Sequence, residues 1–241
     1  MHLNQDGVRT ADGQATLPVK DMFLQLIADI NPALIITTGT SGATFLEHDL
    51  GDVAVTRAAK FRLSDEFRNE PFNGETYTSE WEVPRTHFTH ARQLMRENQQ
   101  RLVEPAFAPP TKRFPFGDPV TADPPNRPDI KLDGDNMPEF HPILTTDFFE
   151  FGTSDNGLEA EGAAVEMGDA VLGLACAELA DPPRWLVARN ISDPQINGDL
   201  PTEPRSLNMQ THWAVWYYEK YGYWTSVNGA LACWAVIAGL D

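Results

Sequence analysis

At 241 residues and 41% hydrophobic, the chain is long enough to bury one substantial core and is expected to form a single domain over 1–241. Its 35 acidic against 18 basic residues leave a net charge of −17, which repels phosphate backbones and argues against nucleic acid as a partner. No basic segment followed by an apolar run opens the sequence, and the longest apolar stretch, Gly229 to Leu240, falls short of the roughly 20 residues a spanning helix needs, so neither a secretory signal nor a membrane is expected.

In chain order, apolar residues at helical spacing predict a helix over 18–30, stopped by Asn31-Pro32. Ala33 to Thr37 reads as a β-branched strand running into a turn, Thr38-Gly39-Thr40-Ser41-Gly42. Gly51-Asp52 precedes a second strand, Val53 to Thr56, expected in the same sheet. Pro84 to Leu102 reads as a helix with a proline start. Glu104 to Met137 is rich in Pro, Asp, Gly and Arg, and is expected as an irregular excursion, either ordered or a lid. A strand over Pro142 to Thr146, a helix from Ala163 to Leu179, a strand from Arg184 to Ala188 and a helical region after Thr211 follow, Gly229 to Leu240 forming a buried C-terminal helix. Strands alternating with helices argue for a helix-covered, parallel sheet. Cys176 and Cys233 lie in small-apolar helical stretches without metal-ligand spacing, and read as reduced core residues of a cytoplasmic protein.

Two segments carry chemistry. Ala163-Ala164-Val165-Glu166-Met167 places a carboxylate and a thioether at the mouth of a helix. About one strand–helix unit later, Val187-Ala188-Arg189-Asn190-Ile191-Ser192-Asp193 delivers an Asp past a buried strand, where open α/β sheets bind ligands. Together they suit a sugar grip and a proton donor. Plainer readings stand beside this one: Glu166 as a helix N-terminal acid, Asp193 as a turn residue before Pro194, and Phe148, Phe149 and Phe151 as core. His87 and His90 sit one helical turn apart without a third ligand nearby, so no metal site is expected.

Thr38-Gly39-Thr40-Ser41-Gly42, then Gly51-Asp52-Val53, Thr146-Asp147-Phe148-Phe149, Val165-Glu166-Met167 and Arg189-Asn190-Ile191-Ser192-Asp193 stand in an order that resembles the nucleoside phosphorylase superfamily. The likeness is greatest to its hydrolytic branch, the methylthioadenosine/S-adenosylhomocysteine and related nucleosidases, and spans about residues 30 to 193 and the last helix. It implies a three-layer α/β/α fold with a mixed sheet, a homodimer or higher homo-oligomer, a small-molecule nucleoside as partner, and no metal or organic cofactor. By the same resemblance, Asp193 is the general acid toward the purine N7, which needs burial to raise its pKa. Ser192 positions it, Phe149 stacks on the base, Glu166 and Met167 line the ribose, and Thr40, Ser41 and Gly42 bring backbone amides near the nucleophile or sugar.

The sequence departs from the family in three places. Gly168 and Asp169 stand where the nucleosidases have a second Glu after the Met. The family's first strand and its water-activating Glu have no counterpart, which leaves Glu47, His48, His87 and His90 as candidate bases. Residues 194–223 read as an insertion whose Trp213-Ala214-Val215-Trp216-Tyr217-Tyr218 cluster is a pocket cap, a subunit interface or core. Related phosphorylases carry an Arg where Thr37 and Thr38 stand here, and Arg57 or Arg62 are the substitutes within the chain. Lys112, Arg113, Arg127 and Lys131 are candidates for a 5′-phosphate or a solvated loop. The expectation is therefore hydrolysis of the N-glycosidic bond of a purine nucleoside or nucleoside derivative, with a phosphate-dependent phosphorylase or an inactive nucleoside-binding domain as alternatives.

Overall fold

The computed structural model describes residues 3, 9–13, 16–98, 119 and 128–240. Its centre is one mixed, curled sheet of eight strands in the order β4-β3-β6-β7-β1-β8-β2-β5, built from β1 (Leu34–Ala43), β2 (Val53–Thr56), β3 (Ala58–Phe61), β4 (Thr76–Thr78), β5 (Ile130–Leu132), β6 (Ile143–Thr145), β7 (Ala164–Glu166) and β8 (Arg184–Asp193). Helices α1 (Pro18–Ile30) and α3 (Asp169–Ala177) cover one face, and α2 (Phe88–Asn98) and α4 (Met209–Ala238) the other. This is the expected α/β/α layering with a mixed sheet.

Local chemistry sets the ends of these elements. Pro18 starts α1 and Asn31, in a left-handed conformation ahead of Pro32, stops it. Asn208 caps α4 by accepting a hydrogen bond from Thr211 N at 2.9 Å. The turn before β2 needs Gly51, whose φ is +87°. A Cβ there would sit 2.6 Å from the Trp224 ring of α4, and Asn228 of that helix donates to Gly51 O at 2.9 Å. The C-terminal helix is thereby locked over the sheet.

β8 is the spine. It pairs parallel to β1 and antiparallel to β2, so both its edges are satisfied. The β1–β8 register slips where Ser41 faces Ile191 but Gly42 faces Asp193, leaving Ser192 as the extra residue of a bulge. That bulge aims the end of β8 toward β7, which runs antiparallel to β1 through Gly42 and Val165.

Several expectations are corrected. Residues 163–168 are not the first turn of a helix: Ala164–Glu166 is a strand buried on both faces, and α3 starts only at Asp169. A short, fully buried apolar run carries no period that separates strand from helix. Thr38 to Gly42 is not a turn but part of β1: β8 pairs with it along its length, and β7 joins on the other side only at Gly42. β8 likewise continues past Ala188 to Asp193. β2 shares the sheet with β1 but pairs with β8 and β5. β5 lies inside the segment expected as irregular, and a single 3-10 turn over Arg85–His87 precedes α2. The expected boundary at residue 223 falls inside α4, a helix of 30 residues. Lys112, Arg113 and Arg127, and the helix expected beyond residue 98, lie outside the described residues.

Candidate active site

Where β1, β7 and β8 converge at the bulge, a cavity of about 270 Å3 opens, lined by Thr40, Ser41, Gly42, Thr146, Phe149, Glu150, Val165, Glu166, Met167, Arg189, Ser192, Asp193 and Tyr218. Thr40, Ser41, Gly42, Phe149, Glu166, Met167, Ser192 and Asp193, the eight residues singled out in the sequence, all lie on this one wall.

Asp193 ends β8 and is 5% exposed. Its Oδ1 accepts a hydrogen bond from Ser192 Oγ at 2.8 Å, and among the described residues no cation pairs with it. Burial pushes its pKa up to about 7, the Ser192 bond pulling the other way. The carboxyl therefore carries a proton over a large part of the near-neutral range, the state a general acid requires. Gly42 makes room for it: a Cβ there would lie 2.6 Å from Asp193 Oδ2 and 3.2 Å from Val165 Cγ1.

Glu166, equally buried, is held differently. Its Oε1 accepts from Thr145 Oγ1 at 2.5 Å and from Asp169 N at 2.7 Å, and Oε2 faces Arg189 Nη2 at 2.9 Å. Burial raises its pKa, Arg189 opposes this, and Asp169 adds to the rise. Arg189 also grips Asp169 in a fork, Nε to Oδ2 at 2.7 Å and Nη2 to Oδ1 at 2.5 Å, and its Nη1 donates to Thr40 O at 3.3 Å. Burial disfavours the guanidinium's charge, but Asp169 and Glu166 outweigh it and raise the pKa further. Asp169, which with Gly168 stands where the nucleosidases have their second Glu, anchors the arginine that braces Glu166.

Phe149, which lines the same cavity, is 47% exposed, its ring 5.7 Å from that of Phe151. Asp147, from the same motif, turns outward and accepts backbone N–H bonds from Ser64, Asp65 and Phe67. Glu150 lines the cavity and pairs with Arg62, which also reaches Glu161. Arg57 is engaged by Asp133 and Glu139, and Lys131 by Asp52, so neither contributes to this wall. None of the candidate bases Glu47, His48, His87 and His90 lines it either. His48 is buried elsewhere with its pKa lowered to about 4, mainly by burial. Trp213 and Tyr217 belong to the core, whereas Tyr218 of the same cluster closes the cavity. Among the described residues no cluster of His, Cys, Asp and Glu suits a metal ion, and no helix is long and apolar enough to cross a membrane.

No protein-family model matches the chain, and no curated protein matches its sequence. Solved structures do. A 5′-methylthioadenosine/S-adenosylhomocysteine nucleosidase from Neisseria meningitidis, in complex with methylthio-immucillin-A, aligns with a TM-score of 0.52 and 14% identity, covering 95% of this chain and 79% of its own. An S-adenosylhomocysteine nucleosidase from Streptococcus pyogenes, in complex with 5-methylthiotubericidin, gives 0.52 and 14% over 92% and 75%. Futalosine hydrolase of Helicobacter pylori gives 0.50 and 12% over the same shares, 92% and 75%. The chain has the nucleosidase fold. Within that fold the sequence reading missed Arg189, Glu150 and Tyr218 as wall residues. Arg189 stood inside a quoted motif, and a cation in a strand otherwise buried was the available signal that it had buried carboxylate partners.

Proposed function

We propose that the chain hydrolyses the N-glycosidic bond of a purine nucleoside or nucleoside derivative, releasing free base and sugar. The observation that carries this reading is Asp193: a buried carboxyl without a cationic partner among the described residues, at the wall of a small cavity, with its pKa raised to about 7. Such a group donates a proton to a leaving base. Phe149 offers the base a flat face, and Glu166 with Met167 forms the sugar shelf, Ser192 and Gly42 fixing the acid between them. As the bond from C1′ to the base nitrogen breaks, Asp193 gives its proton to N7 of the purine. Water adds to C1′, and the proton that water sheds restores the carboxyl.

Water is favoured over phosphate by the charge of the wall. Arg189 is the cation lining the cavity, and its fork is occupied by Asp169 and Glu166, so a dianionic phosphate meets acceptors rather than free donors. The fold shared with nucleosidases supports the same reaction class, on the footing of fold alone. The test is chromatographic detection of free base from a panel of purine and pyrimidine nucleosides, nucleotides and 5′-thio derivatives, each with and without phosphate. Release from purine substrates without phosphate is expected. Release only with phosphate would replace hydrolysis by phosphorolysis, and silence across the panel would contradict both.

A further inference from the structure

Both carboxylate oxygens of Glu166 are engaged by the protein itself, whatever sugar lies against them. Oε1 accepts from Thr145 Oγ1 at 2.5 Å and from Asp169 N at 2.7 Å, which fills the two lone-pair sites of that oxygen. Oε2 is held by Arg189 Nη2 at 2.9 Å. These partners are fixed in turn: Ala170 N donates to Thr145 Oγ1 at 2.8 Å, and Arg189 is forked on Asp169. Glu166, Asp169 and Thr145 are all buried, so the set stays paired in the absence of solvent.

A site tells a sugar with a hydroxyl from one without by what the missing group leaves behind. A buried acceptor that only the substrate can satisfy rejects the shorter analogue by about 10⁴-fold or more, because it is then stranded. Glu166 is stranded by neither sugar. Asp169 has both oxygens in the arginine fork and does not line the cavity. The hydroxyls of the wall are also committed: Ser192 Oγ donates to Asp193 Oδ1 at 2.8 Å, Thr146 Oγ1 to Phe148 O at 2.8 Å and Ser41 Oγ to Asn190 O at 3.4 Å. Glu150 is paired with Arg62 beside Phe149, at the end of the cavity proposed for the base. Among the described wall residues this leaves the neutral hydroxyls of Thr40 and Tyr218, and a hydrogen bond to a neutral group is worth about tenfold at most.

The reaction adds a bias of its own. Positive charge builds at C1′ as the base departs, and the electron-withdrawing oxygen at 2′ opposes it. A hydrogen bond to that hydroxyl which strengthens in the transition state offsets the penalty. Where no such bond is built, the sugar lacking the hydroxyl parts from its base the more readily.

We infer that the cavity does not read the 2′ position of the sugar, so that its substrate class takes in purine 2′-deoxyribonucleosides and their derivatives alongside the ribonucleosides. The inference rests on the nucleosidase reading above and specifies its sugar.

The test is kcat/KM for free-base release, in buffer free of phosphate, on pairs that differ only at 2′: adenosine with 2′-deoxyadenosine, guanosine with 2′-deoxyguanosine, inosine with 2′-deoxyinosine. For the pairs that are cleaved, the deoxy member is expected within about tenfold of the ribonucleoside or above it, and a larger loss would overturn the inference. Glu166→Gln is expected to change both members of a pair by the same factor within about threefold, since the carboxylate braces the site without reading the hydroxyl; a larger fall for the ribonucleoside would overturn it. The wild-type comparison stands even if that variant fails to fold. Release from ribonucleosides alone overturns the inference and leaves hydrolysis standing, whereas release from neither member of any pair contradicts the nucleosidase reading and the inference together.

Discussion

The cavity near the start of β8 is larger than the one at its end, about 440 Å3 against about 270 Å3, yet the smaller is the one we propose as the active site. The first is walled by Tyr77, Trp81, Pro182, Pro183 and Trp185, and its buried titratable group is the thiol of Cys176, which burial pushes up to about 11. That thiol stays neutral and unreactive near pH 7. At the other end, burial acts on a carboxyl and brings Asp193 to about 7. The same physical effect silences one group and tunes the other, because an acid starting near 4 is raised into the working range and a thiol is raised out of it. Cavity size alone says little; what decides is which buried groups are left without compensation.

A second contrast lies within the smaller cavity. Glu166 has hydrogen-bond or ionic partners at both oxygens, whereas Asp193 has one neutral donor. In the proposed function the first carboxylate is held for binding, and the second is left able to give up a proton.

The largest expected effect comes from removing that proton. Asp193→Asn should lower base release by about 10³-fold while calorimetric affinity for the nucleoside changes little; a variant with full activity would remove Asp193 from the chemistry. The same substitution sharpens the stability argument. An acid with an unfolded value near 3.8 and a folded value near 7 binds more protons folded than unfolded, so its contribution is complete below pH 4 and lost as pH rises to 7. Thermal melts should show the Asn variant gaining on wild type over that window and holding its advantage above it.

Arg189→Met should rank next. It leaves Glu166 and Asp169 buried without their cation, and denaturant unfolding is expected to show a loss of about 3–5 kcal/mol. Gly42→Ala pushes a methyl group toward Asp193 Oδ2 and should cost about 10²-fold in kcat through misplacement of the acid, with little change in melting temperature by comparison. Smallest is Cys176→Ala at the larger cavity, worth about 1 kcal/mol of stability and no change in kcat; a kcat loss there would break the contrast between the two cavities.

How much of this was legible follows from the kind of signal each part carries. The eight wall residues could be named because each sits in a short motif, and the motifs keep their order along the chain. Their backbone setting was less legible. Thr38 to Gly42 has turn-like composition but is a strand because β8 pairs with it along its length, and Ala164–Glu166 is too short to show a period. Arg189 was visible but not its partners, since an ion pair linking 189 to 166 and 169 is set by the β1–β8 register and the start of α3, neither of which leaves a local mark. Tyr218 could not be separated from Trp213 and Tyr217 for a related reason: in a run as evenly apolar and aromatic as Trp213 to Tyr218, composition does not say which face meets the cavity.

The most direct measurement is the pH dependence of kcat for free-base release, on whichever nucleoside the panel identifies, in buffers free of phosphate. The account predicts a rate that is high where Asp193 is protonated and falls tenfold per pH unit above about 7. A rate that is flat from acid through pH 9, or that first falls near pH 4 as for a solvated carboxyl, would contradict it.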